Sequence, residues 1–315
     1  MNYLTAGLSP GLWRDKVRRE AKGKPARTSC KGGQIKFGQT TDEPHQAHRT
    51  TIRKNMLISL DNRVALITGA SQGLGRAMAQ RFAASGADVV LLARRQELLD
   101  QVCQKIASET GRRVKGYACD VSQLDQVEQT WKKVEEEFGK VDIVVNNAGS
   151  SARNPIETLG MDKLQSDFDL KVKPALRLVQ LAAPGMKARR WGRIINVVNI
   201  GAKAPEAGTA PTTMNRAAGI AMTKVMSKEL APHNILVNAL CVGQIMSEQW
   251  VGYHRRDNPE MTFEDYVAMR GKPLPMSRIG EAEEFANVAC FLASDQASYV
   301  SGVAINVDGA LSPVV

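Results

Sequence analysis

The sequence predicts a single domain built on a doubly wound, parallel α/β sheet. Three observations carry this expectation. Short, mostly apolar runs recur between residues 64 and 307. Helix-length amphipathic stretches separate them. The first run ends in a glycine-rich turn directly ahead of a helical pattern. Strands without polar alternation belong to sheets covered on both faces, and right-handed crossovers then give the doubly wound form.

In chain order, the run at 64–67 passes through Thr68 and Gly69 into a helical pattern that reaches Phe82. Further strands are expected at 88–92, 141–145, 193–198, 235–240 and 303–307. The stretches 95–109, 122–138, 162–189, 213–230 and 281–293 have the apolar spacing of helices covering the sheet. No internal repeat is present, and no linker divides 56–315.

Composition narrows the class. The chain has 315 residues, 43% hydrophobic and 23% charged, which excludes fibrous and mostly disordered chains. No apolar run approaches the roughly 18 residues of a membrane span. The five cysteines (Cys30, Cys103, Cys119, Cys241 and Cys290) are odd in number and form no CxxC pair, which points to a reducing compartment and a cytoplasmic location. The net charge of +10 is concentrated in residues 1–55, where 12 Lys and Arg face 4 Asp and Glu; that leaves only +2 for the remainder. The domain therefore has no expected nucleic-acid face. Segment 1–55 is read as a basic, disordered N-terminal extension. Three origins stay open: a misplaced start ahead of Met56, a basic arm, or a mitochondrial transit peptide. Its His45 and His48 are read as solvated, and no metal site is expected.

The turn at 68–75 has the spacing GxxxGxG. Gly69, Gly73 and Gly75 permit a sharp bend and close backbone approach, with Ser71, Gln72 and Leu74 between them. At a strand–helix junction such a turn presents amide donors to a pyrophosphate. An acidic residue at the end of the second strand would bind the ribose hydroxyl of NAD. Ala93 stands there instead, followed by Arg94 and Arg95. A guanidinium grips a 2′-phosphate, so NADP(H) is expected over NAD(H).

With these motifs in place, residues from about 60 to 310 resemble the short-chain dehydrogenase/reductase family, whose fold is of the Rossmann type. The turn at 68–75 looks like its TGxxxGxG motif, and Asn146, Asn147, Ala148 and Gly149 match its NNAG motif. Arg278, Gly280, Glu283 and Ala286, then 291–294, Ser301, Gly302 and 307–309, resemble its closing segments. The resemblance implies adenine contacts from Asp120 and Val121. It also implies a cofactor wall at Asn147, Ala148 and Gly149, and nicotinamide contacts from Ile245 and Ser247. The family transfers hydride between nicotinamide and a carbonyl or alcohol. A Tyr moves the proton, a Lys four residues on assists it, a Ser polarises the carbonyl, and an Asn holds a relay water.

All four of these positions are substituted. Thr212 stands for the Tyr, Arg216 for the Lys, Asn199 for the Ser and Lys171 for the Asn. A threonine hydroxyl has no accessible ionisation, and an arginine keeps its proton. A lysine buried beside Arg216 would lose basicity through desolvation and like charge, and Lys171 could then serve as a general acid. The blander reading pairs Lys171 with Asp167 or Asp169, or turns it to solvent. Glu206 is a weaker acid candidate, while Cys241 and His233 read as structural.

Three functions stay open. One is an NADP(H)-dependent oxidoreductase with a non-standard site, acting on a 3-oxoacyl, sugar or polyol type of substrate. The second is a non-redox lyase or isomerase using the same pocket. The third is a catalytically silent subunit or NADP(H) sensor. The expected partner is a small carbonyl compound, apolar or anionic. The family resemblance also implies a homodimer or homotetramer through helices 162–189 and 213–230. The segment 246–276 carries Met246, Trp250, Tyr253, Met261, Phe263, Tyr266 and Met269; it suits either an apolar ligand or a lid packed on itself. His254, Arg255 and Arg256 offer an anion contact or a solvated turn.

Overall fold

The computed structural model describes residues 58–315, so the expected N-terminal extension lies outside the described residues. In chain order the elements are β1 (Val64–Thr68), α1 (Gly73–Ala84), β2 (Asp88–Ala93), α2 (Gln96–Thr110), β3 (Val114–Ala118), α3 (Leu124–Phe138), β4 (Ile143–Asn146) and β5 (Arg153–Asn154). There follow α4 (Met161–Lys171), α5 (Lys173–Arg189), β6 (Gly192–Asn199), β7 (Ala210–Pro211), α6 (Thr212–Leu230), β8 (Ile235–Val242), α7 (Gln249–Asp257), α8 (Phe263–Gly271), α9 (Ala282–Ala293) and β9 (Ala304–Val307).

Seven strands form one sheet in the order β3-β2-β1-β4-β6-β8-β9, with every pairing parallel. The winding reverses between β1 and β4. The two faces are separately filled. Ala65 and Ile67 of β1 join Met78, Phe82, Phe285 and Cys290 beneath α1 and α9. Val64 and Leu66, from the same strand, join Trp131, Leu178, Met226 and Leu230 beneath α3, α5 and α6. Burial on both faces is why these strands read as unbroken apolar runs.

Three features depart from the expectation. β3 was not expected as a strand. It lies at the edge of the sheet and mixes Lys115 and Gly116 with half-buried neighbours, so its apolar signal is diluted. The stretch 162–189 is two helices, not one, with the break at Val172. Pro174 supplies the reason: it lacks an N–H, and its ring crowds the carbonyl four residues earlier. The small antiparallel ribbon of β5 and β7 was also unannounced; its register sets Arg153 against Pro211 and Asn154 against Ala210.

At the end of the sheet away from the glycine turn, Asp142 is buried. It accepts from the Val64 amide (3.1 Å) and Arg189 Nε (3.2 Å) and pairs with Lys140 (3.0 Å). This carboxylate pins β1, β4 and α5 together. Asp142→Ala leaves a buried amide without its acceptor, a loss of about 1–3 kcal/mol. Urea unfolding should show a lower midpoint at an unchanged slope; an unmoved midpoint would show that the pin is dispensable.

Candidate active site

A cleft of about 350 Å³ opens outside the carboxyl ends of the central strands, on both sides of the winding reversal. In open α/β sheets this is where ligands bind. Its walls include Gly69, Ser71, Gln72, Gly73, Leu74 and Gly75 from the turn after β1, and Arg94 and Arg95 after β2. Asp120 and Val121 follow β3, Asn147, Ala148 and Gly149 follow β4, and Ser247 and Glu248 follow β8. Arg216 of α6 completes the floor with Val197.

The glycines are required by space. Gly69 has φ +64°, and a Cβ there would lie 2.9 Å from the Ala148 Cα. A Cβ on Gly75 would run into the Gly69 carbonyl oxygen. Helix α1 begins without a side-chain cap or an acidic residue in its first turn. The side chain of its N-cap Gln72 is turned instead to Arg95, whose Nη2 donates to Gln72 Oε1 at 2.6 Å. The first amides of α1 are thus left as donors facing the cleft. Uncapped amides, a glycine cradle and two exposed guanidiniums fit the phosphates of a dinucleotide.

Thr68 closes the seam between β1 and β4. Its Oγ1 accepts from the amides of Asn147 and Ala148, each at 2.9 Å, and donates to the Val145 carbonyl at 3.4 Å. Asn147 Nδ2 returns a bond to the Thr68 carbonyl at 2.8 Å. Asn146 Nδ2 reaches Asn196 Oδ1 at 2.8 Å, and Asn196 Nδ2 reaches Thr223 Oγ1 at 2.9 Å, which ties β4, β6 and α6 together.

Three of the four substituted positions, Lys171, Thr212 and Arg216, converge behind this seam. The Lys171 side chain is 1% exposed and pairs with Asp167, which is 3% exposed. Lys171 Nζ also donates to Thr212 Oγ1 at 2.9 Å, and Thr212 accepts a second bond from the Ala152 amide at 2.8 Å. Asn215 Nδ2 holds the other oxygen of Asp167 at 2.8 Å. Arg216 donates to the Val197 carbonyl and borders both the cleft and a small void of about 10 Å³, lined by Lys171, Asn146, Asn196 and Asn215 together with apolar residues such as Ala175, Val198 and Met222. Burial, then the neighbouring Arg216, pushes the Lys171 ammonium down to about 8, against the opposing pull of Asp167. Burial likewise pushes Arg216 down to about 10. Lys171 therefore combines the two readings the sequence had set apart: it is paired with Asp167, and it is buried beside Arg216.

Several expected residues fall elsewhere. Ile245 does not line the cleft; it packs in the core, and its carbonyl accepts the Trp250 indole N–H at 2.8 Å. Asn199 and Thr212 lie outside the cleft lining, and Asn199 Oδ1 is buried with no hydrogen-bond partner among the described residues. Glu206 is exposed, 4.0 Å from Arg153. Cys241 is a buried strand residue, and His233 ends a turn. Sequence reading missed Glu248, Gln249, Ser150 and Leu170 in the cleft, and Asn215 behind it. The position of Asn215 beside Arg216 carried no signal of its own.

Most of the apolar residues of 246–276 pack into one cluster with Ile279, while Met269 stays exposed. Trp250 meets Tyr253 and Tyr266 edge-on at 5.8 and 6.3 Å, with Ile279, Met246, Met261 and Phe263 around them. His254 Nε2 is engaged with the Met261 carbonyl and Arg256 with Asp257, so neither is free for an anion. Among the described residues no cluster of His, Cys, Asp and Glu could hold a metal, and no helix is long and apolar enough to cross a membrane.

Comparison with known proteins agrees with the fold. Residues 69–312 match the family model described as enoyl-(acyl carrier protein) reductase. The chain is 33% identical to the 3-oxoacyl-[acyl-carrier-protein] reductase FabG of Thermotoga maritima, over 80% of this chain and 98% of that one. It is 33% identical to a 3alpha-hydroxysteroid dehydrogenase of Mediterraneibacter gnavus, over 81% and 99%. The solved L-sorbose reductase of Gluconobacter frateurii, complexed with NADPH and L-sorbose, superimposes with a TM-score of 0.79 at 32% identity, covering 82% of this chain and all of that one. The chain belongs to the short-chain dehydrogenase/reductase family.

Gly75→Ala places a methyl group against the Gly69 carbonyl and should displace the turn. Calorimetric titration with NADPH should show at least about tenfold weaker binding, a loss of about 1.4 kcal/mol. Undiminished affinity would separate the turn from dinucleotide binding.

Proposed function

We propose that the protein is an NADPH-preferring oxidoreductase acting on a small carbonyl compound, in which Lys171 supplies the product's proton by way of Thr212. The observation that carries this reading is the buried Lys171, held against Thr212 Oγ1 behind the cleft floor. The named activities of the relatives, and NADPH in the sorbose reductase, support the reaction class and the cofactor.

The residues divide the work. The amides of Gly73, Leu74 and Gly75 face the pyrophosphate, and Arg94 and Arg95 take a 2′-phosphate. Ser247 meets the nicotinamide end of the cleft. Bound nicotinamide supplies or accepts a hydride. Arg216 cannot exchange its proton at neutral pH, so it positions ribose hydroxyls or an anionic group. As the substrate oxygen gains charge, Thr212 gives up its hydroxyl proton and takes one from the Lys171 ammonium. Lys171 is left as a neutral amine and regains a proton from solvent.

A second reading, a silent NADP(H)-binding subunit, is favoured by one observation. Thr212 Oγ1 already accepts two hydrogen bonds, and neither Lys171 nor Thr212 lines the cleft. Exposed Phe168, Leu176, Met214 and Val225 on α4, α5 and α6 support contact with a second copy, in a homodimer or homotetramer. Four buried free thiols among the described residues support a reducing, cytoplasmic setting.

Titration of the full chain should give micromolar NADPH affinity and weaker NADH affinity. Replacing Arg94 and Arg95 by Ala should remove about tenfold of that preference. A screen of carbonyl compounds should find turnover that Lys171→Ala lowers about 100-fold or more.

Reduction needs protonated Lys171, so its rate should be level below pH 8 and fall as pH rises through about 8, while alcohol oxidation rises over the same range. NADPH binding without turnover of any carbonyl would select the silent subunit. Turnover unchanged in Lys171→Ala would remove the lysine as proton source.

A further inference from the structure

We infer that Asp167 is a positioning residue, which aims Lys171 at Thr212 and supplies the buried counter-charge that keeps its ammonium form. The inference rests on the reading of Lys171 as proton source. Asp167 and Lys171 stand four residues apart on α4, the spacing that brings side chains together on one helix face. Asp167 Oδ1 accepts from Lys171 Nζ and, at 3.5 Å, from the Thr212 hydroxyl, while Oδ2 accepts from Asn215 Nδ2 at 2.8 Å. The two clamps come from different helices, α4 and α6, so the carboxylate plane is fixed from both sides. Lys171 is thereby directed to the Thr212 hydroxyl, the neighbour through which a proton can leave.

The electrostatics call for such a partner. The charged groups facing Lys171 are Asp167 on its own helix and Arg216 on α6. Its other polar neighbours, Thr212 and Asn215 on α6, Asn146 on β4 and Asn196 on β6, are uncharged. Burial and Arg216 both favour the neutral amine, which is no acid, and Asp167 opposes them. Asp167 does not line the cleft, so its effect passes through its two partners Lys171 and Thr212.

The test uses the full chain with carbon-13 at the lysine ε-positions. The Lys171 resonance is assigned by its absence from Lys171→Ala and followed against pH by NMR. It should titrate near 8 in the wild type and about one pH unit lower in Asp167→Asn. The alkaline limb of kcat should move with it, kcat should fall about tenfold, and NADPH affinity should hold within about twofold. Asp167→Glu should restore part of both shifts. If Asp167→Asn does not fold, Asn215→Leu frees one oxygen of Asp167 without orphaning a buried charge; it should give a smaller shift of the same sign. A resonance and a limb that stay put in these variants would overturn the positioning role while leaving Lys171 as the proton source. A wild-type midpoint above about 10, the ordinary lysine range, would overturn both.

Discussion

Everything at the cleft depends on the Thr68 hydroxyl. It sits where the winding of the sheet reverses, with β1 carrying the glycine turn to one side and β4 carrying the Asn146–Gly149 corner to the other. Two amides and one carbonyl converge on that single oxygen. With Asn147 returning a bond to the Thr68 carbonyl, the two strand ends cannot separate. The distance between the turn and the corner is the width of the cleft, so one buried hydrogen-bonding knot sets the shape of the binding site. The close approach of Gly69 to Ala148 is its direct consequence. Buried knots of this kind rigidify when every member is satisfied.

Around that seam the molecule is built in parts with different duties. The two cores under the sheet faces hold the strands, and the segment 246–276 has its own aromatic cluster around Trp250 and Tyr266. This segment is joined to the body by the Ile245–Gly280 bridge and by the Trp250 indole on the Ile245 carbonyl. Ile245 thus spends its carbonyl on the segment and its side chain on the core. Ser247 and Glu248, two and three residues further on, are the ones that reach the cleft.

The fold was legible because burial on two faces writes itself into a strand as consecutive apolar residues, as in 64–67 or 143–145. The edge strand Val114–Ala118 escaped because only Gly116 of its five residues is buried. The glycine turn and Arg94 were legible because both obey local geometry. The Lys171 environment was legible in its parts, a helix-spaced Asp167 and an Arg216 inferred to lie nearby, but not in its balance. Whether a lysine is paired, desolvated or both depends on contacts between α4 and α6, residues more than 40 apart in the chain. Asn215 shows the limit most clearly, since nothing about an Asn beside an Arg says that it will clamp a buried carboxylate.

The burial of Asp167, Lys171 and Arg216 together has no stability rationale. Taking each ion out of water costs several kcal/mol, and well-packed apolar residues of similar volume commonly serve a fold as well or better. The two acid oxygens are consumed by Lys171 and Asn215, so among the described residues Arg216 keeps only the Val197 carbonyl as a hydrogen-bonding partner and borders the cleft with Asp167 acting on it through space alone. Two cations against one carboxylate leave that part of the cleft floor net positive, which favours ligands that bring electron density to it. Lys171, the buried ammonium held against Thr212, sits behind that floor rather than in it, since neither residue lines the cleft.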